Sequence, residues 1–337
     1  MSKAQGLFDL LADASELIIV CHNNPDPDCL ASALALGRIG AAAGIDERRI
    51  LYSGDISHQQ NRAFVNVLDI DLQPFDPTVV RDRPAESVLA FVDHAIPGAN
   101  NRVPEGTRVD VVIDHHPATE IEAGFVDHRE GVGAAASILT EYVRNLDVEP
   151  DATLATALSF AIRRETLEFL RGATRKEYEE AGWLHEYADP GLLRTLSNPS
   201  VSGATVDTIA TAIGNRTTRG PVLISHVGRT TERDALPQAA DYLATLEGVE
   251  TVVVFGIVGD AIHLSGRSPD PRVHVGDVLR ETFDDVGSAG GHYDVAGGEI
   301  PLGIFADYTS DDRGLLEIVE RVITARLVAG LELADEE

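Results

Sequence analysis

Three short runs of apolar, largely β-branched residues in the N-terminal third break off directly into aspartate and histidine. Leu17 to Cys21 runs into His22-Asn-Asn-Pro-Asp26-Pro-Asp28, Val88 to Val92 into Asp93-His94, and Val109 to Ile113 into Asp114-His115-His116. Runs of this length and composition are strands buried on both faces. The stretches between them carry helical patterns, at about Cys29 to Ala43 and His58 to Leu68, with a further strand at Arg49 to Tyr52. Strands alternating with helices predict a parallel, doubly wound sheet, whose ligands bind outside the carboxyl ends of the strands. All three clusters belong at such ends, and together they supply four aspartates and four histidines.

The pattern turns helical from about Gly133 to Asn215, with helices expected at Ala134 to Leu146, Ala152 to Arg163, Arg175 to Tyr187, Pro190 to Leu196 and Val206 to Asn215. Strands return at Val222 to Val227, Thr251 to Val258, Ile262 to Arg267 and Ile300 to Phe305, around a helix at Leu236 to Leu246, and a last helix runs from Arg313 to Leu331. The 337 residues exceed the usual size of one domain. The expected organisation is α/β: an N-terminal domain over 1–196 that carries the three acidic clusters, a helical connector over 197–219, a smaller α/β domain over 220–337, and a cleft between the two domains.

The formal net charge is −28, and the only lysines are Lys3 and Lys176. An ordinary core inside an acidic, lysine-poor surface is one that salt screening makes tolerable, which points to a halophilic host with a salt-rich cytoplasm. No basic stripe exists to track a long nucleic acid, so phosphate binding has to be local. No apolar run is long enough to span a bilayer, and the amphipathic, acidic N-terminus does not resemble a secretory signal, so the expected location is the cytoplasm. A homodimer is compatible with this reading. Cys21 and Cys29 have no CxxC partner, which excludes a cysteine-rich zinc site and leaves two small buried side chains.

Carboxylates mixed with imidazoles suit Mn²⁺, Fe²⁺, Co²⁺ or Zn²⁺ rather than Ca²⁺, and several carboxylates can hold two such ions a few ångströms apart. The plainer alternative, that Asp26, Asp93 and Asp114 only cap helices and turns, does not call for adjacent histidines.

These motifs resemble the DHH phosphoesterases, named for the tripeptide that stands here as Asp114-His115-His116. His22, Asp26 and Asp28 are spaced as in that family's first motif, and Asp93 stands in the position of its second. Gly290-Gly291-His292, followed by Gly297-Gly298, is similar to the glycine-rich signature of the DHH-associated domain. The resemblance implies two divalent metals, Mn²⁺ before others. His22, Asp26 and Asp93 would hold the first, Asp28, Asp93 and His115 the second, with Asp93 as the bridge. It further implies that His116 contacts the substrate phosphate, that Asp114 supports its neighbours, and that a hydroxide between the ions is the nucleophile.

The family's fourth motif ends a helix with an aspartate that completes the second metal site, and Glu165 stands there instead. Glu165 keeps the charge on a longer arm and is taken as a ligand; Arg163 and Arg164 are read as surface charges. Gly290, Gly291, Gly297 and Gly298 suit a loop that brings backbone N–H groups to a phosphate, with His292 adding a hydrogen bond. Arg267 resembles the family's phosphate-binding basic residue, the alternative being an exposed strand-end arginine. Within the family, the length and layout match the nanoRNases with 3′-phosphoadenosine 5′-phosphate phosphatase activity and the cyclic-dinucleotide phosphodiesterases. The expected substrate is a small nucleotide or short oligonucleotide. The alternatives are a nucleotide-sensing module with weakened catalysis and a RecJ-like single-strand exonuclease.

Overall fold

The first unit, Met1–Pro199, is built on a six-stranded, all-parallel sheet. The computed structural model of the chain describes residues 2–331 except 55, 57, 58, 119, 271, 292 and 307–312. In chain order come α1 (Lys3–Ala12), β1 (Glu16–Asn23), α2 (Pro27–Ala42), β2 (Glu47–Ser53), α3 (Gln59–Val67), β3 (Gln73–Pro74), α4 (Pro77–Arg81), β4 (Ser87–Val92), β5 (Val109–Asp114) and β6 (Ala123–His128). The strands lie in the order β3-β2-β1-β4-β5-β6, so the direction of winding reverses between β1 and β4. A crevice opens at such a reversal.

Leu17 to Cys21 of β1 are apolar because both faces of the sheet are covered. Leu17, Ile19 and Cys21 join one core cluster, and Ile18 and Val20 join another on the opposite face. Four helices complete the unit: α5 (Ala135–Asn145), α6 (Ala152–Glu165), α7 (Arg175–Leu184) and α8 (Pro190–Ser197). Helix α2 starts sharply at Asp26, whose carboxylate accepts the N–H groups of Asp28 and Cys29 at 3.1 Å, with Pro27 in the first turn. Its Ala31, Ala33 and Ala35, with Leu30, Leu36 and Ile39, are buried in the cluster that also takes residues of α5 and α6.

The second unit, Ser200–Glu337, contains α9 (Gly203–Gly214), β7 (Thr217–Arg219), β8 (Val222–Arg229), α10 (Ala235–Leu243), β9 (Thr251–Val258), β10 (Ala261–Arg267), α11 (Val275–Phe283), β11 (Ser288–Gly291), β12 (Val295–Pro301) and α12 (Arg313–Gly330). Its sheet is mixed, ordered β11-β12-β10-β9-β8-β7, with only the β8–β9 pair parallel. One face packs Phe255, Leu279 and Leu327, and the other packs Leu223, Leu236 and Val254. The segment read as a connector is formed by α9 and β7, both within this unit.

Two expectations are corrected here. The strand placed at Ile300 to Phe305 is instead the end of β12 followed by a 3-10 turn at Gly303–Phe305. The glycines read as a phosphate loop stand in paired strands, Gly290 opposite Gly297 and Gly291 opposite Ala296. Without side chains they show no period-two pattern, so the hairpin leaves no trace in hydropathy. Close strand approach requires Gly291, where a Cβ would meet the Val295 carbonyl oxygen at 2.3 Å.

Candidate metal centre

The ends of β1, β4 and β5 deliver the three clusters to the side of the sheet where the winding reverses. His22 lies within β1, one residue from its end, Asp93 follows β4 directly, and Asp114 closes β5. Asp93 has φ of 65°, in the left-handed region that few residues other than glycine adopt and that Asp and Asn tolerate best. Its N–H donates to the carbonyl of Ile113 at 2.9 Å, which fixes the turn out of the strand.

The two oxygens of Asp93 face two different imidazoles. Oδ2 lies 3.5 Å from His22 Nε2, and Oδ1 lies 3.3 Å from His115 Nε2. Asp26 Oδ1 is 3.8 Å from His22 Nε2, and Asp28 Oδ2 is 3.6 Å from His115 Nε2. The far nitrogen of each ring is already committed: His22 Nδ1 is 2.9 Å from its neighbour's carbonyl at Asn23, and His115 Nδ1 is 3.1 Å from that of Val132. Carbonyls accept, so both Nδ1 atoms carry a proton, and each Nε2 would present a lone pair toward Asp93 once a cation displaced its own proton. Metal-binding histidines are oriented in this way.

Asp93 is 3% exposed, yet its Oδ1 and the facing His115 Nε2 have no hydrogen-bond partner. Buried polar atoms are normally satisfied, and a cation between them would satisfy both. Charge points the same way. Burial alone would lower the pKa of His22 and His115, but Asp26 and Asp93 push His22 up to about 11, and Asp93 with Asp28 pushes His115 up to about 10. Asp93 is held well below its usual range: burial opposes this, and His115 and His22 outweigh it. Burial and then the Asp93 charge drive Asp28 up. This place favours positive charge, whether carried by imidazolium or by a bound cation. The donor set of carboxylates and neutral imidazoles fits Mn²⁺ or a similar ion.

Capping and ligation coexist here. Asp26 caps α2 through Oδ1, at 39% side-chain exposure. Asp28 accepts the N–H of Ala135 at 2.8 Å and of Ala136 at 2.7 Å, which caps α5 from another helix because Ala134 cannot. Asp114 Oδ1 accepts the N–H groups of His115 and His116 and sits 2.9 Å from His116 Nδ1. His116 is thereby turned outward, with its side chain 53% exposed. Asp93 caps nothing.

Among the described residues, two trios of donor atoms lie within 4.8 Å of one another, Asp93–His115–His116 and His22–Cys29–Asp93. Glu165 belongs to neither. It ends α6 with Oε1 3.7 Å from Arg171 Nη2, and its pKa is raised by burial and by the charges of Asp26 and Asp93. Arg163 pairs with Glu168 at the surface. In the second unit, Arg267 is engaged by Asp241, Ser265 and the Gly266 carbonyl. His292 lies outside the described residues.

Three residues here carried no assigned site role in the sequence alone. Cys29 joins a donor trio, and its place directly after Asp28 in the first helical turn was the available signal. His94 is buried against Phe91 with Nε2 unpartnered. His128, at the end of the unanticipated β6, approaches the His116 carbonyl at 2.6 Å.

Comparison with known proteins gives two family matches, the DHH family N-terminal domain over residues 16–162 and the DHHA1 domain over residues 219–324. An uncharacterised protein of Methanocaldococcus jannaschii is 39% identical over 323 residues, 95% of this chain and 65% of that one. A probable manganese-dependent inorganic pyrophosphatase of Listeria welshimeri is 28% identical over 158 residues, 46% of this chain and 49% of the relative. The chain thus spans about half to two thirds of the length of these relatives. The crystal structure of an exopolyphosphatase-related protein from Bacteroides fragilis superposes with a TM-score of 0.66 at 13% identity, covering 96% of this chain and 97% of the other, a likeness of fold.

Proposed function

The chain belongs to the DHH family, with a DHH N-terminal domain followed by a DHHA1 domain, and on that premise we propose that it is a manganese-dependent phosphoesterase acting on short oligoribonucleotides or small nucleotides. The observation that carries the proposal is Asp93, a buried carboxylate whose two oxygens face two separately oriented imidazoles. Such a carboxylate can bridge two ions. Two bound ions supply a nucleophile at neutral pH and neutralise charge on the transferring phosphoryl group. The chain's own residues do the rest. The Asn23 and Val132 carbonyls orient the two histidines, Asp26 and Asp28 would complete the two half-sites, and the exposed ring of His116, steadied by Asp114, would hydrogen-bond a phosphate oxygen.

The acidic, lysine-poor composition supports a small substrate over a long strand, because distant phosphates would meet only negative charge. The Listeria relative makes inorganic pyrophosphate a competing substrate. Its match spans 46% of this chain, so it bears on metal use more than on substrate choice. Purified chain in high KCl with Mn²⁺, offered 5′-phosphorylated di- to pentaribonucleotides, 3′-phosphoadenosine 5′-phosphate, cyclic di-AMP and pyrophosphate, tests the reading. Hydrolysis of a nucleotide supports it; turnover of pyrophosphate alone, or of nothing, overturns it.

A second reading is a nucleotide-sensing module with weakened catalysis. It is favoured by Glu165, which stands where the family's motif has aspartate and whose carboxylate lies 3.7 Å from the Arg171 guanidinium. Stoichiometric nucleotide binding without hydrolysis, with turnover appearing in Glu165→Asp, would establish it.

A further inference from the structure

Cys29 is a buried thiol in the wall of the metal centre that the proposed chemistry does not use. Its sulfur, a nitrogen of His22 and an oxygen of Asp93 lie within 4.8 Å of one another. The sulfur is not there by accident of packing alone. The Cys29 N–H is held by Asp26 Oδ1 at 3.1 Å, and the thiol donates to the carbonyl of Val92, the residue before Asp93, at 3.4 Å. The residue is thus fixed through its backbone to the Asp26 carboxylate and through its thiol to the backbone carbonyl of the residue before Asp93. No cysteine stands in the second trio, Asp93–His115–His116. The two half-sites are therefore chemically unequal. One offers only nitrogen and oxygen, and the other offers the same donors plus sulfur. The unpartnered Oδ1 of the 3%-exposed Asp93 faces His115, so the carboxylate common to both half-sites is itself a buried group that a cation would satisfy.

We propose that Cys29 is a sulfur donor to the His22 half-site, so that this position accepts thiophilic divalent ions such as Zn²⁺, Co²⁺ and Cd²⁺ while the His115 half-site keeps a preference for hard ions. The proposal rests on the reading that the DHH domain holds two divalent metals. Ligation forms a metal–sulfur bond as the S–H bond breaks: the thiol proton passes to water, the metal gives up one water ligand, and nothing is oxidised or reduced. Soft thiolate ligands select such ions over Mn²⁺, which prefers oxygen and imidazole. The consequence is a centre with two different tenants, filled according to which metals are present.

The test uses the full-length chain loaded with Co²⁺ in high KCl and read by absorption. A near-ultraviolet thiolate-to-cobalt charge-transfer band is expected in the wild-type chain, retained in Cys21→Ser, whose thiol neighbours that of Cys29, and lost in Cys29→Ser. Two cobalt ions per chain with visible d–d absorption but no such band would overturn the sulfur donor while leaving the metal centre standing. Persistence of the band in Cys29→Ser would overturn it equally. Absence of cobalt binding altogether would overturn both the donor and the two-metal reading beneath it. A second measurement needs no variant. ¹¹³Cd resonance of the wild-type chain is expected to give one signal in the region of sulfur-containing ligand sets and one in the region of oxygen and nitrogen sets. Two signals in the latter region would refute the proposal.

Discussion

Replacing Asp28 by alanine removes the cap that α5 borrows from α2. The carboxylate accepts two backbone N–H groups, at 2.8 and 2.7 Å, from residues that are fully buried and have no alternative acceptor in Ala134. Hydrogen bonds to a charged group contribute about 1.5–3 kcal/mol each, so the pair is worth about 3–6 kcal/mol before any offset. The offset is real. Burial and the neighbouring Asp93 charge raise the Asp28 pKa, so the ionised side chain is held at a cost that alanine relieves. We take the net loss as about 2–4 kcal/mol, which at 1.4 kcal/mol per decade is a roughly 30- to 1000-fold fall in protection. A two-unit chain need not unfold in a single step, so the assay is amide hydrogen exchange at Ala135 and Ala136, in EDTA and high KCl, rather than a global melt. Asp28→Asn keeps one acceptor, sheds the charge and is expected to fall between wild type and alanine. Exchange at both amides unchanged in Asp28→Ala would refute the argument, because the carboxylate would then not be holding the helix.

Asp93→Asn is expected to abolish phosphoester hydrolysis and to reduce bound Mn²⁺ from two per chain, as read by elemental analysis; full turnover would remove the bridging role. The pH dependence of metal-free stability follows from the two raised histidines. Protonated imidazolium is favoured in the folded state, so that stabilisation is complete below the unfolded value of 6.5 and is lost as pH rises through about 10 for His115 and about 11 for His22. Metal-free chain should therefore melt progressively lower between pH 7 and 10, and Mn²⁺ should flatten the profile by occupying the same place. An identical slope with and without Mn²⁺ would contradict this. Gly291→Ala is expected to disrupt the β11–β12 hairpin without affecting Mn²⁺ stoichiometry, because its Cβ would fall 2.3 Å from a carbonyl oxygen in the second unit; normal folding of that unit by circular dichroism would count against it.

What was legible in the chain is what hydrophobic burial writes plainly. β1, β4 and β5 carry apolar residues on both faces because one face is covered by helices and the other by the short α4 and loop residues such as Ala95 and Val103, and an acidic cluster after each run announced the strand ends. β6 was missed because its Ala-Gly-Phe-Val-Asp-His is only half buried and shows no clean period. α11 escaped because Val275, Leu279 and Phe283 bury a single stripe over nine residues. In the centre, the residues were legible and their second duties were not. That Asp28 caps α5 depends on Ala135 and Ala136, more than a hundred positions away, and no local pattern encodes that contact. Cys29 looked inert because one thiol beside two aspartates reads as filler until the fold places His22 against it.

The left-handed backbone at Asp93 also limits how this position can drift. Such a conformation is comfortable for glycine, asparagine and aspartate and strained for nearly everything else. A single base change in an aspartate codon leads to Asn, Gly, Glu, Ala, Val, His or Tyr. Of these, Asn and Gly keep the turn but surrender the anionic pair of oxygens, while Glu keeps the charge but not the turn. A lineage can therefore abandon the chemistry at this residue in one step while preserving the fold, and it has no intermediate that retains half of each. Loss here would be clean, leaving an intact protein with an asparagine or glycine at 93.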